Sequence, residues 1–230
     1  MKTFRAYRFE IYLFTSCLIL FGSLVFPGQI FEQYISPLFV SLNIAVGFLL
    51  ISMRKKAFWY YAVIFAIGML LFLGRMVFQA NLGQRLELFR LGFYSVFYTI
   101  VAVEIILQVW GMKQVNHKVI FGLVCGYISL GLVAFFLVFC IEVAHPGSFS
   151  GLAGNADKGA IAESLLYYAF ITLMTIGYGD MAPLTPISQK AAILIGLTGQ
   201  FYLVIITAVV IEKYIAGKRD SSAPPGNPEL

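Results

Sequence analysis

Six long apolar stretches constrain the fold of this 230-residue chain more than any other feature. A helix needs about 20 predominantly apolar residues to cross roughly 30 Å of hydrocarbon. The stretches cover approximately residues 9–26, 35–53, 57–80, 90–112, 118–142 and 187–214. They are too long and too uniform for barrel strands, and lipid offers no water to an open backbone. The sequence therefore predicts an all-α integral membrane protein with six transmembrane helices.

Composition and charge narrow the function classes. Hydrophobic residues make up 60% of the chain and charged residues 12%, which is typical of membrane proteins. The formal net charge is +5, but the basic residues stand in short clusters between apolar stretches, so nucleic-acid binding is not predicted. Two histidines and few acidic residues cannot form a catalytic set or a metal cluster. We therefore expect no enzyme, no organic cofactor and no identifiable soluble ligand.

Clusters of lysine and arginine predict the orientation of the chain. Short loops rich in these residues stay on the cytoplasmic side of a membrane. Such clusters precede the first stretch, separate the second from the third and the fourth from the fifth, and follow the sixth. Both termini are therefore expected in the cytoplasm of a multi-pass cell-membrane protein. Residues 218–230 are polar and proline-rich, and we expect them to form a disordered cytoplasmic tail.

The connection between the fifth and sixth stretches differs from the others. It runs from about Glu142 to Ile187, which is too long for a simple turn. Within it, residues 160–174 are apolar but too few to cross a membrane, and two glycines follow at 177 and 179. The sequence therefore predicts a re-entrant pore helix at about 160–174, between transmembrane helices 5 and 6.

Residues 175–180 directly after this segment read Thr-Ile-Gly-Tyr-Gly-Asp. Their two glycines permit backbone angles that a side chain disfavours. The motif resembles the selectivity filter of tetrameric potassium channels of the six-transmembrane, one-pore-loop superfamily. Residues 164–210 are similar to the pores of prokaryotic two-helix-pore ion channels. The resemblance implies a homotetramer, surrounded by membrane lipids in a prokaryotic inner or plasma membrane, that conducts K+ passively and selectively.

The same resemblance implies roles for individual residues. Backbone carbonyls would bind K+ ions in the filter, and they belong to Thr175, Ile176, Gly177 and Tyr178. Gly179 and Asp180 would form the outer mouth, where the carboxylate would concentrate cations. Tyr167 and Tyr168 would brace the filter from behind, and Thr172 would contribute to its structure. K+ is the one bound species that the resemblance implies.

Other interpretations of the motif stay open. A nonselective cation channel would keep the pore without its selectivity. A non-conducting membrane subunit would modulate a partner channel. A potassium transporter would resemble four single-glycine filters in one chain, whereas this chain has one Gly-Tyr-Gly. A glycine-rich external turn would have no transport role.

Two glycines in the sixth stretch are candidate gating hinges. Gly199 stands twenty residues after Gly179, where the resemblance places a hinge glycine in the pore-lining helix, and Gly196 lies one turn earlier. Small residues also allow helices to pack closely in membranes. The sequence leaves hinge and packing as alternatives.

Residues 1–112 would form a peripheral, sensor-like four-helix domain, and residues 113–217 the pore domain. A voltage sensor needs Arg or Lys at every third position, because each charge moved contributes about 2.3 kcal/mol per 100 mV. The fourth stretch lacks that pattern, so conventional voltage sensing is not predicted. We interpret Arg75, Arg85 and Arg90 as residues that contact lipid at the outer interface. The alternative is that they are gating charges. Glu104 in that stretch is either a hydrogen-bonded packing residue or has a proton- or gating-linked role.

Overall fold

The computed structural model describes residues 7–26, 31, 35–51, 84–111, 117–152 and 158–222. Within these residues the regular structure is helical, apart from an isolated β-bridge between Phe149 and Pro183. A 3-10 turn at Gly22–Leu24 follows the first helix. The six α-helices are α1 (Arg8–Phe21), α2 (Ser36–Ile51), α3 (Gln84–Trp110), α4 (His117–Ala144), α5 (Lys158–Leu173) and α6 (Pro186–Ser222). The all-α prediction is confirmed for the described part of the chain.

Three of the described helices are long and apolar enough to cross a membrane. The candidate spans are Arg85–Trp110, Val119–Ala144 and Pro186–Glu212. Helix α2 contains a shorter apolar stretch, and α1 has 14 residues because the chain tightens into a 3-10 turn at Gly22. The predicted stretch at 57–80 lies outside the described residues. The protein is a multi-pass membrane protein, and three of the six predicted spans are confirmed as candidates.

Two helix boundaries differ from the sequence prediction, both at polar ends. Helix α3 begins at Gln84, before the predicted start at 90, so its first turns carry Arg85 and Glu87. Helix α6 continues to Ser222, four residues beyond Lys218, where the sequence predicts the start of the tail. Arg, Lys, Glu and Ala are good helix formers, and hydropathy does not detect a helix that continues past its apolar part. Helix α5 lies within two residues of its predicted bounds.

Helix α4 packs against four other helices, α1, α3, α5 and α6. Three of its glycines make room for neighbouring side chains. A Cβ at Gly122 would collide with Val109 of α3, one at Gly126 with the Tyr202 hydroxyl of α6, and one at Gly131 with the Phe170 ring of α5. Small residues let helices approach closely in a membrane, where packing drives association. These glycines therefore place α4 between the peripheral helices and the helices around the filter motif.

A buried polar cluster joins the first three helices. The Asn43 amide donates to the Thr15 hydroxyl at 2.8 Å and to the Ser16 hydroxyl at 2.9 Å. The Tyr98 hydroxyl donates to the Asn43 amide oxygen at 2.9 Å. All four residues are buried, and buried polar groups are stable when they are hydrogen-bonded. The cluster fixes α1, α2 and α3 relative to one another.

Candidate functional site

The filter motif directly follows helix α5, whose C-terminal end lies beside α6. The α5 C-terminus packs directly on Gly199, because a Cβ there would collide with the Leu173 carbonyl oxygen. Gly199 lies about 20 Å along α6 from Pro186, at 1.5 Å per residue. The chain must return over that distance between Met174 and the start of α6. Residues 175–180 therefore lie on a segment that runs back alongside the first part of α6.

The end of α5 forms a Schellman-type turn. The Thr175 amide donates to the Thr172 carbonyl at 3.0 Å, and the Ile176 amide donates to the Ile171 carbonyl at 2.9 Å. Thr175 takes the left-handed position of this turn, with a φ of 58°. Glycine normally fills that position, and a residue with a Cβ there costs about 1–2 kcal/mol. The helix end therefore holds Thr175, the first residue of the motif, in a strained conformation, and such conformations cluster at functional sites.

Left-handed residues alternate with others along the motif. The backbone φ is positive at Thr175, at Gly177 (54°) and at Gly179 (83°), and not at Ile176 or Tyr178. Alternation of left- and right-handed residues turns successive amide groups to one side of the chain, which leaves the carbonyls on the other side. A row of carbonyl oxygens on one side of an extended segment is an arrangement that can replace the water around a cation.

The backbone conformation at positions 177 and 179 of the motif favours glycine over any other residue. A Cβ at Gly177 or at Gly179 would meet no described atom of the chain within 4 Å. Their positive φ values nonetheless disfavour any residue with a side chain.

The two tyrosines predicted behind the filter lie in different surroundings. Tyr168 is buried, and its ring packs against Phe149 at 5.1 Å between centroids. Tyr167 is 40% exposed and lies beside Asp180. The pKa of the Tyr167 phenol is raised, chiefly because Asp180 accepts a hydrogen bond from its hydroxyl, and further by loss of solvent and by the negative charge of Asp180. Tyr168 therefore faces the protein interior, while Tyr167 contacts the outer end of the motif.

The loop before α5 is hydrogen-bonded to the segment that follows residues 175–180. The sequence did not predict this contact. The Ser150 amide donates to the Ala182 carbonyl, and the Leu184 amide donates to the Ser148 carbonyl, both at 2.8 Å. A Cβ at Gly151 would collide with the Asp180 carbonyl, so the loop packs against the end of the motif. We call residues 148–151 the outer strap. The glycines of this loop were the available signal, since a positive φ at Gly151 indicates a turn.

Glu142 at the end of α4 anchors the outer strap. Its carboxylate accepts hydrogen bonds from the Gly147 amide at 2.7 Å and from the Ser148 amide at 3.0 Å. Hydrogen bonds to an ionised acceptor are among the stronger ones in proteins. The segment that follows the filter is thereby connected through the strap to a membrane-spanning helix.

Much apolar surface near the motif is exposed in the single chain. Tyr178 is 71% exposed and Ile176 is 46% exposed. Within the chain, 17% of the apolar part of α6 is buried, compared with 61% for α4. Large exposed apolar areas indicate contact with protein or lipid.

The remaining predicted residues are found as follows. Gly199 packs against Leu173, while a Cβ at Gly196 would meet no described atom within 4 Å, and α6 is helical through both. Glu104 is buried on α3. Arg90 lies 3.8 Å from Glu87, and Arg85 is exposed. Arg75 lies outside the described residues. Hinge motion and gating charge stay predictions.

Part of the C-terminal half of the chain is similar to a known protein family. Residues 122–216 match a family model described as "Ion channel". The matched part of the chain, which includes α5 and residues 175–180, is therefore similar to ion channels. No solved structure matches the chain significantly.

Curated relatives of the chain include potassium channels. The chain is 34% identical over 97 residues to two pore potassium channel c of Oryza sativa subsp. japonica, which covers 42% of this chain and 19% of that protein. It is 39% identical over 109 residues to two-pore potassium channel 5 of Arabidopsis thaliana, with coverages of 47% and 23%. A voltage-gated potassium channel of Aeropyrum pernix is 28% identical over 93 residues, with coverages of 39% and 28%. The chain is distantly homologous to potassium channels, and it spans less than a third of each of these relatives.

Proposed function

We propose that this chain is one subunit of a potassium-selective channel that conducts K+ passively through residues 175–180. The alternating left-handed backbone at Thr175, Gly177 and Gly179 carries this proposal, because it is the conformation that lines up carbonyl oxygens on one side. The K+ ligands would be the carbonyls of Thr175, Ile176, Gly177 and Tyr178. The match to an ion channel model and the potassium-channel relatives support the same conclusion.

The chemistry of the site suits a cation that must shed its water. Several rings of carbonyl oxygens can replace the hydration shell at little net cost. Helix α5 would act as the re-entrant pore helix, with the partial negative charge of its C-terminus toward the conduction path. At the other end of the filter, the Asp180 carboxylate would raise the local concentration of cations.

A ring of carbonyls requires several copies of the chain, and we propose a homotetramer. Each chain holds one copy of the motif, whereas an ion must be surrounded. The exposed side chains of Ile176 and Tyr178 and the largely exposed α6 would be covered by neighbouring subunits and by lipid. In the cell membrane both termini would be cytoplasmic. Residues 57–80 would form the third of the six spans in chain order.

Conventional voltage sensing is not part of the proposal. Helix α3 carries Arg85 and Arg90 near its start, and no lysine or arginine from Leu91 to Trp110. Glu104 lies buried in the middle of that helix. Too few basic residues are therefore available on α3 to move several charges through the field.

Ion flux from purified protein in liposomes tests the function. With K+ on one side and Na+ on the other, we expect a reversal potential far from zero, with the sign that selective K+ permeability gives, and little change of open probability with voltage. Equal permeability to Na+ would identify a nonselective cation channel. Absence of current from correctly assembled protein would favour a non-conducting subunit. A steep voltage dependence would contradict the rejection of a sensor.

A further inference from the structure

Three backbone carbonyls at the end of α5 have hydrogen-bond donors outside that helix, and one of the donors is a side chain of α4. The Ile171 and Thr172 carbonyls accept hydrogen bonds from amides of the filter segment. The next carbonyl, that of Leu173, accepts a hydrogen bond from the Tyr127 hydroxyl of α4 at 3.3 Å. In the part of the chain that the structure describes, no backbone amide bonds to this oxygen. A carbonyl at a helix end needs such a partner when it is buried.

Helix α6 fixes the same carbonyl from the other side. Gly199 lies against the Leu173 oxygen so closely that a Cβ would collide with it. The carbonyl is therefore held between the backbone of α6 and the hydroxyl of Tyr127. It stands two residues before Thr175, the first residue of the proposed filter.

Tyr127 is itself held by the pore-lining helix. Its ring packs against the Tyr202 ring, with 5.4 Å between centroids. The Tyr202 hydroxyl donates to the Leu123 carbonyl at 2.6 Å, one turn before Tyr127 on α4. Gly126 makes room for that hydroxyl. The position of the Tyr127 hydroxyl is thus set by contacts with both α4 and α6.

We propose that Tyr127 is a positioning residue for ion selectivity, acting through the Leu173 carbonyl. Its hydroxyl fixes the end of α5, and the strained turn at Thr175 passes that position on to the carbonyls of the filter. The inference rests on the proposed function, since a filter must conduct before its geometry can set selectivity. Tyr127 contacts no ion, and its effect is on where the ligands stand.

The variant Tyr127→Phe tests this directly, because it removes the hydroxyl and keeps the ring that packs on Tyr202. The matched control is Tyr98→Phe, which removes a buried hydroxyl whose hydrogen bond to Asn43 joins two of the peripheral helices, α3 and α2. Permeability ratios of K+ to Na+ are measured for both variants and the wild type, together with melting temperatures. We expect the ratio to fall about fivefold in Tyr127→Phe, which corresponds to the roughly 1 kcal/mol of a typical hydrogen bond. Tyr98→Phe should lower the melting temperature and leave the ratio within twofold of the wild type.

The outcomes separate this inference from the proposed function. A selective wild type with an unchanged ratio in Tyr127→Phe would overturn the positioning role and leave the function intact. Equal ratio losses in both variants would reduce the effect to general destabilisation and also overturn it. A wild type that does not select K+ would refute the proposed function, and this inference with it, before any variant is measured. If Tyr127→Phe does not assemble alone, tetramers mixed with wild-type subunits carry the same comparison.

Discussion

We compare the pore half of the molecule, helices α4, α5 and α6, with the peripheral half, helices α1, α2 and α3. Both halves consist of apolar helices, but different kinds of contact fix the conformation of each. Around α5 and α6, backbone conformation is dictated residue by residue, with left-handed angles at three alternate positions and helix contacts at defined glycines. In α1, α2 and α3, specificity lies in a satisfied cluster of Asn43, Tyr98 and two hydroxyl side chains. Under the proposed function, the pore half is constrained by the carbonyl oxygens that it would present to an ion. The peripheral half is constrained by the need to hold its helices in a fixed position.

Substitution of a filter glycine should break the comparison most strongly. Gly177→Ala places a Cβ on a residue with a φ of 54°, which costs about 1–2 kcal/mol in each subunit. We expect loss of K+-selective current, measured in liposomes, because the chain would relieve the strain by rotating a ligand carbonyl. Gly147→Ala is the matched control, since Gly147 also has a positive φ, 81°, and open space around it.

Gly147→Ala should therefore be destabilised to a similar degree in thermal unfolding while it still conducts. Loss of current in both variants would mean that strain alone, wherever it lies, disables the protein. Retained K+ selectivity in Gly177→Ala would refute the proposed ligand set.

A methyl group on α6 should have the next largest effect, and it separates packing from hinge motion. Gly199→Ala forces a Cβ into the Leu173 carbonyl, and overpacking of this kind typically costs about 1–3 kcal/mol. We expect a lower melting temperature and at least a tenfold loss of current. Gly196→Ala is the control because a Cβ there meets no described atom within 4 Å. A change in open probability without any loss of stability in Gly199→Ala would favour the hinge.

Sequence reasoning found the elements that carry a regular signal. Long apolar stretches predicted the spans, and the position of α5 follows from a short apolar segment before Gly177. The contact of Tyr127 could not be predicted, because it is a single polar residue whose partner, Leu173, lies 46 residues away in the sequence. The contacts of Glu142 are local, but no sequence pattern marks the carboxylate that bonds to the amides of Gly147 and Ser148. The left-handed Thr175 was missed for another reason. Sequence patterns assign such angles to glycine, and here the turn at the end of α5 imposes one on a residue with a side chain.

The helix ends show where hydropathy fails. The start of α3 is polar, with Arg85, Glu87 and Arg90 in its first turns, so the apolar pattern begins after the helix does. The sequence pattern does not show what these residues contact. In the structure, the Glu87 Oε2 atom lies 2.7 Å from Nζ of Lys158 on α5. The pair joins the two halves of the molecule at the beginning of the pore helix.

The Glu87–Lys158 pair should give the smallest effect and thereby sharpen the comparison. The Lys158 side chain is 78% exposed, and exposed ion pairs contribute about 0.2–1 kcal/mol. A double-mutant cycle with Glu87→Gln and Lys158→Gln should therefore show coupling of less than about fivefold in open probability, weaker at high salt. Arg85→Gln is the control, since it removes an exposed basic residue from the same helix end. Coupling well above this range, or a new voltage dependence in either single variant, would mean that the peripheral half drives the pore. Coupling within the range would mean that this half holds the pore helix in place without gating it.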